Sequence, residues 1–179
     1  MSKHLIPRAE FVVLIKRAKE EAAGKETAWF AIADRILAAW YSTPVTDIWK
    51  AESVWRAFLD ALTPGQNALV TCASFYRGAK HDFITFLGEP GTPTRTLRAF
   101  ELLGAQEYLE LLRQIEAVFP GRKFPEYAED TVAALRKQPD GYFDEVADKF
   151  VTGKTMKQPL RDYIFAYITA HPEDFSTAS

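Results

Sequence analysis

Apolar residues recur at helical spacing along nearly the whole chain, and that periodicity constrains the fold more than any other feature. After Pro7, the residues Phe11, Leu14, Ile15, Ala18 and Ala22 fall on one side of a helix, and Trp29, Ile32, Ala33, Ile36 and Trp40 repeat the pattern. The segment "YSTPVTD" interrupts them before Trp55, Phe58, Leu59 and Leu62 mark a third face. An apolar stripe on a helix must be buried against another element, and no alternating strand pattern or fixed-period repeat supplies a sheet or solenoid for it. The predicted fold class is therefore all-α, a compact bundle of about eight or nine helices with a short irregular aromatic turn in the middle. Residues 1–50 read as an N-terminal helical extension packed on the core and residues 51–179 as a helical domain, together one globular unit.

Local signals divide the rest of the chain. In "TPGQ", Thr63 is placed as an N-cap, Pro64 as the first helical residue and Gln66 as the reciprocal partner of a capping box. The helix that follows carries Leu69, Cys72, Ala73 and Tyr76 on one face and runs out near Gly78. "HDFITFL" permits a short helix or an extended stretch, because it mixes β-branched residues with closely set aromatics. Thr92 or Thr94 is expected to cap the next helix, and Gly104 to end it in a left-handed conformation. Tyr108, Leu111, Leu112, Ile115, Val118 and Phe119 form the most regular stripe, stopped by "PGRKFP". Two shorter helices follow, one with Ala128, Val132 and Leu135 and one with Phe143, Val146, Ala147 and Phe150, closed by Gly153. A last helix after Pro159 buries Leu160, Ile164 and Ile168 and stops before Pro172.

The 179 residues are 47% hydrophobic and 26% charged, enough for a real core without a metal or disulfide staple. A formal net charge of -2 argues against a strongly basic protein that binds nucleic acid directly. The single cysteine, Cys72, has no internal disulfide partner and favours a reducing compartment. The N-terminal stretch lacks a signal-peptide core, and no run reaches transmembrane length, so a cytoplasmic protein away from membranes is expected.

Few residues invite catalytic chemistry. Cys72, His81 and Asp82 provide the residue types for a thiolate, a base and an orienting carboxylate, which would suit a small cysteine-dependent hydrolase or transferase. The simpler reading packs Cys72 in the core, since it lies on an apolar stripe. His4, His81 and His171 are scattered and form no metal motif, and "GEPG" lacks the residues of a phosphate loop, so no cofactor is expected. His171 near a helix end suits the macrodipole.

Acidity is concentrated in one region. Residues 101 to 150 hold eleven acids against six bases, a local balance of -5. Within it, Glu126, Glu129, Asp130, Asp140, Asp144, Glu145 and Asp148 are the candidate partner-binding residues. Asp140, Asp144 and Asp148 recur every four residues, which on one helix would set carboxylates about 6 Å apart. That spacing is of the order of successive phosphates on a nucleic-acid strand. The plainer alternative makes Asp140 an N-cap and gives Asp144 and Glu145 the first-turn positions that a helix dipole favours.

The stretch from Trp55 to Phe119 resembles the bacterial DNA-mimic-protein family of the DMP type, through "LTPGQNALV", the turn "YRGAKHDFITFLGEPG" and "AFELLGAQEYLELLRQIEAVFP". Gly78, Phe83, Phe86, Leu103, Gly104 and Ala105 occupy places equivalent to that family's Asn-Gly-Gly-Phe turn, its aromatic segment and its Ile/Leu-Gly-Ala helix end. This chain departs by having Arg77-Gly78-Ala79 and three further residues before Phe83. The resemblance implies an all-helical domain without known catalytic residues, whose turn aromatics plug the core with His81 and Asp82 beside them. It also implies a protein partner, in some members a basic DNA-binding protein occupied by an acidic surface. An immunity or antitoxin-like protein is the remaining alternative for a compact, mildly acidic domain.

Overall fold

The computed structural model describes residues 4–21, 29–42, 48–89, 91–125, 128–152 and 156–177. Among them, ten α-helices follow in order: α1 (Arg8–Glu21), α2 (Phe30–Tyr41), α3 (Ile48–Asp60), α4 (Pro64–His81), α5 (Phe83–Leu87), α6 (Thr92–Leu102), α7 (Gln106–Glu116), α8 (Ala128–Leu135), α9 (Asp144–Thr152) and α10 (Leu160–Ala170). The described residues contain no strand, only an isolated parallel bridge between Ile6 and Ser176. The chain is all-α, as its periodicity predicts, and the added helix is α5, the segment whose residues permit either conformation. Ala22, most of "YSTPVTD" and the expected stop at Gly153 lie outside the described residues.

Two compact units are formed, Met1–Val70 with Ile164–Ser179 and Thr71–Tyr163, and their boundaries fall inside α4 and α10. In the first unit Phe11, Trp29, Ile32, Ala33, Ile36, Leu59, Leu69, Ile164, Ile168 and Phe175 are buried. Phe11 stacks on Phe175 with ring centroids 5.9 Å apart. The predicted capping box is present at the start of α4: the Gln66 N–H donates to Thr63 Oγ1 at 3.2 Å and the Thr63 N–H donates to Gln66 Oε1 at 3.3 Å. The C-terminal segment adds a second cap. Asp174 Oδ2 accepts from the Gly65 N–H at 3.0 Å and from the Tyr167 hydroxyl at 2.9 Å, while the Asp174 carbonyl accepts from Thr63 Oγ1 at 2.7 Å. Burial and this carboxylate together push the Tyr167 hydroxyl up to about 12. Gly65 leaves no room for a side chain, since a Cβ would lie 2.6 Å from Asp174 Oδ2 and 2.7 Å from the Tyr167 ring.

The second unit is built on aromatic rings. Phe75 of α4 is edge-on to Phe83 and Phe86 of α5, to Phe100 of α6 and to Phe150 of α9, with centroids 4.9 to 6.1 Å apart. Such pairs add about 0.5–1.5 kcal/mol each beyond burial. Gly78 makes the α4–α5 contact possible, because a Cβ there would stand 2.1 Å from the Phe86 ring. The turn aromatics thus fill the core, as the family resemblance implies. Tyr108 is also buried, and its hydroxyl oxygen accepts from the Leu160 N–H at 2.8 Å, satisfying one of the orphan donors at the start of α10.

Two caps in this unit differ in how well the sequence predicts them. Gly104, at φ 68°, ends α6 as expected: its N–H donates to the Glu101 carbonyl at 3.1 Å and the Ala105 N–H to the Phe100 carbonyl at 2.8 Å, the paired bonds of a Schellman motif. At the other end neither Thr92 nor Thr94 is the cap. Gly91 holds that position, and Thr92 is the first helical residue, its hydroxyl accepting from Arg95 Nη2 at 3.1 Å.

Candidate functional site

The acidic region is shaped by the turn between α8 and α9. After Leu135 the chain passes through Pro139 and Gly141, and the Tyr142 N–H donates to the Pro139 carbonyl at 3.0 Å. Gly141 takes φ 77°, a conformation that a side chain resists, and the Asp144 N–H then donates to its carbonyl at 3.0 Å. This left-handed step corrects the expected helical row: Asp140 lies in the turn, and only Asp144 and Asp148 share a helix, one turn or about 6 Å apart. Asp144 and Glu145 occupy the first turn of α9, where the helix dipole favours carboxylates. Glu145 is also bound by Lys149 at 2.6 Å, and this hydrogen bond holds its carboxyl below the usual range.

Asp130, Asp140, Asp144, Glu145 and Asp148 are all exposed. Glu129 is placed by its backbone on α8, and Glu126 lies outside the described residues. Within 128–152 the bases are Arg136, Lys137 and Lys149. Of these, Lys149 pairs with Glu145, and Arg136 acts on the carboxylate of Asp82, which lies between α4 and α5.

Cys72, His81 and Asp82 do not form a catalytic group. The Cys72 thiol is fully buried, and burial raises its pKa far above the range where a thiolate would form. His81 is exposed at the end of the same helix, nine residues on, which is about 13 Å along the axis. Asp82 instead caps α5, its Oδ1 accepting from the Thr85 N–H at 3.0 Å and its Oδ2 from the Thr85 hydroxyl at 2.7 Å. The Thr85 backbone and hydroxyl bonds, followed by the Arg136 charge, hold this carboxyl below its usual range.

A recess of about 300 Å³ joins these features. Asp82, Asp140 and Asp144 line it with Arg136 and Tyr142, the last of which is 52% exposed. Sequence reasoning grouped Asp82 with Cys72 and overlooked Arg136 and Tyr142, since nothing in the local pattern brings residue 82 to residues 136–144. Among the described residues no group of three or more His, Cys, Asp or Glu side chains is arranged to hold a metal ion, and no helix is long and apolar enough to cross a membrane.

The family model of the DMP19-like proteins matches residues 60–171, from the end of α3 through α10. The chain belongs to the DMP19-like protein family. DMP19 is the name of a DNA-mimic protein family. The match extends well beyond the Trp55–Phe119 stretch and takes in the acidic turn and α9. Neither the curated proteins nor the solved structures provide a significant match to the chain.

Proposed function

We propose that this DMP19-like protein is a non-enzymatic interaction domain that presents the acidic surface of α8, α9 and their connecting turn to a basic, DNA-binding protein partner in the bacterial cytoplasm. The observation that carries this reading is the exposure of Asp130, Asp140, Asp144 and Asp148 within the family-matched segment, with Glu126 and Glu129 as further members of the binding set. The row of phosphate-like charges is shorter than one continuous helix would give. Of the row, Asp144 and Asp148 stand on α9 and Asp140 in the turn before it, so the surface is a cluster of anions at two levels rather than a straight line.

The whole chain carries only -2, which gives little long-range steering. Recognition therefore acts at short range and is sensitive to salt, because screening falls from about 10 Å at 0.1 M to about 3 Å at 1 M. The immobilised protein is expected to retain a basic partner from bacterial lysate at about 0.1 M salt and release it towards about 1 M. The triple variant Asp140→Asn, Asp144→Asn, Asp148→Asn should fold with the same circular dichroism and lose that partner. Full retention by the folded triple variant would remove this surface from the mechanism.

A further inference from the structure

A second recognition surface, opposite in sign, lies in the other unit. An open groove of about 590 Å³ runs along α1 and the end of α10, floored by Phe11, Val12, Ile15, Ile168 and Pro172. Val12 and its neighbour Val13 are 54% and 48% exposed, outside the stripe that buries Phe11 and Ala18. Cations rim this floor. Lys16 is offset by Glu20 at 3.9 Å, whereas Arg8 and Lys19 donate to neutral hydroxyls, Ser176 Oγ at 3.1 Å and Thr169 Oγ1 at 3.4 Å, and form no ion pair among the described residues. Glu10 does not offset them, since it is bound to Arg35.

We infer that this groove docks an acidic amphipathic helix of a partner protein, with apolar residues on Val12 and Ile15 and carboxylates at its two ends on Arg8 and Lys19. The register of the two cations selects the occupant. Arg8 and Lys19 are eleven residues apart, close to three full turns at about 3.6 residues per turn, so they share a face of α1 about 16 Å apart. A helix laid along α1 meets both with acids that are also eleven residues apart on one face, with three turns of apolar contact between them. A fatty acid brings a single anionic head and matches one cation only. A second copy of this chain offers acids on α9, but the aromatic side chains there, Phe143 just before it and Phe150 within it, are buried in its own core.

The test uses the full chain and a synthetic helical peptide of about 15 residues, with Leu and Ile on one face and Glu at two positions eleven apart. The control peptide has Lys at both positions. Fluorescence anisotropy should show binding of the acidic peptide, no binding of the lysine peptide, and at least about tenfold weaker binding to Val12→Asp and to Lys19→Glu. Both substitutions are at exposed positions, and unchanged circular dichroism confirms the fold. Equal affinity for the two peptides, failure of the acidic peptide to bind, or unchanged affinity in Val12→Asp overturns the proposal. So does displacement of the peptide by stoichiometric palmitate, which would make the groove a lipid site, or a dimer in sedimentation that Val12→Asp abolishes, which would make it a self-association face. The Asp140, Asp144 and Asp148 variant should bind the acidic peptide normally, which keeps this outcome separate from that of the acidic surface.

Discussion

Both units have buried apolar cores, but they close by different means. The first is discontinuous in sequence and closes through polar bonds: residues 164–177 return to α4 and to Ile6, with Asp174 bonded to Gly65 and Tyr167, and Ile6 and Ser176 bridged. The second is one continuous stretch, held by a cluster of rings around Phe75. Directional bonds fix where a terminal segment sits, because a misplaced carboxylate leaves donors unpaired. Ring packing is less directional and gains its strength from buried area. Ring removal should therefore be costly in the second unit, and loss of single polar groups moderate in the first.

Phe75→Ala is expected to have the largest effect, a loss of about 3–5 kcal/mol, since it removes a buried ring in contact with four others. All four tryptophans, Trp29, Trp40, Trp49 and Trp55, belong to the first unit, so hydrogen exchange should show protection lost in residues 71–163 before tryptophan fluorescence reports unfolding. Simultaneous loss by both probes would show that the contrast between the units has no thermodynamic counterpart.

Next in size are two of the glycines where a helix meets a neighbour, Gly78 and Gly65. Ala is favoured over Gly inside a helix by about 1 kcal/mol, yet Gly78→Ala should lower stability by about 1–3 kcal/mol because its Cβ would collide with the Phe86 ring. Gly65→Ala should cost a similar amount by pushing away Asp174 and Tyr167. Urea midpoints give the sign directly, and a stabilised Gly78→Ala would mean that Phe86 can move aside.

Thr63→Ala removes the α4 cap and the bond to the Asp174 carbonyl, with an expected loss of about 1–2 kcal/mol in urea unfolding. The smallest effect concerns Asp82. Its folded-state pKa lies below that of the unfolded chain, so its stabilisation is complete above the ordinary carboxylate value and disappears as pH falls through the folded value. Asp82→Ala should thus be about 1 kcal/mol less stable than the parent at neutral pH, and the difference should shrink in acid below about pH 4. A difference constant with pH would mean that the Asp82 charge takes no part in the cap.

What could be read from the sequence was local. The capping box of Thr63 and Gln66 and the stop at Gly104 are each completed within six residues, and the apolar stripes report burial directly. The segment at Phe83 stayed open between helix and extended stretch because its cap, Asp82 with Thr85, is followed by only five helical residues, too few to show a period. Asp140 was misplaced because a spacing of four says nothing of the left-handed Gly141 beside it. Asp174 on α4, Arg136 near Asp82, and the exposed Val12 between two cations depend on residues far apart in the chain, which periodicity cannot connect.

The cap that Asp174 places on α4 also bears on how the protein is made. Helices near the start of the chain wait for a partner translated more than a hundred residues later, while every segment of the ring-packed unit has already been synthesised. During synthesis the middle of the molecule can therefore mature first, and the two ends of the chain join last.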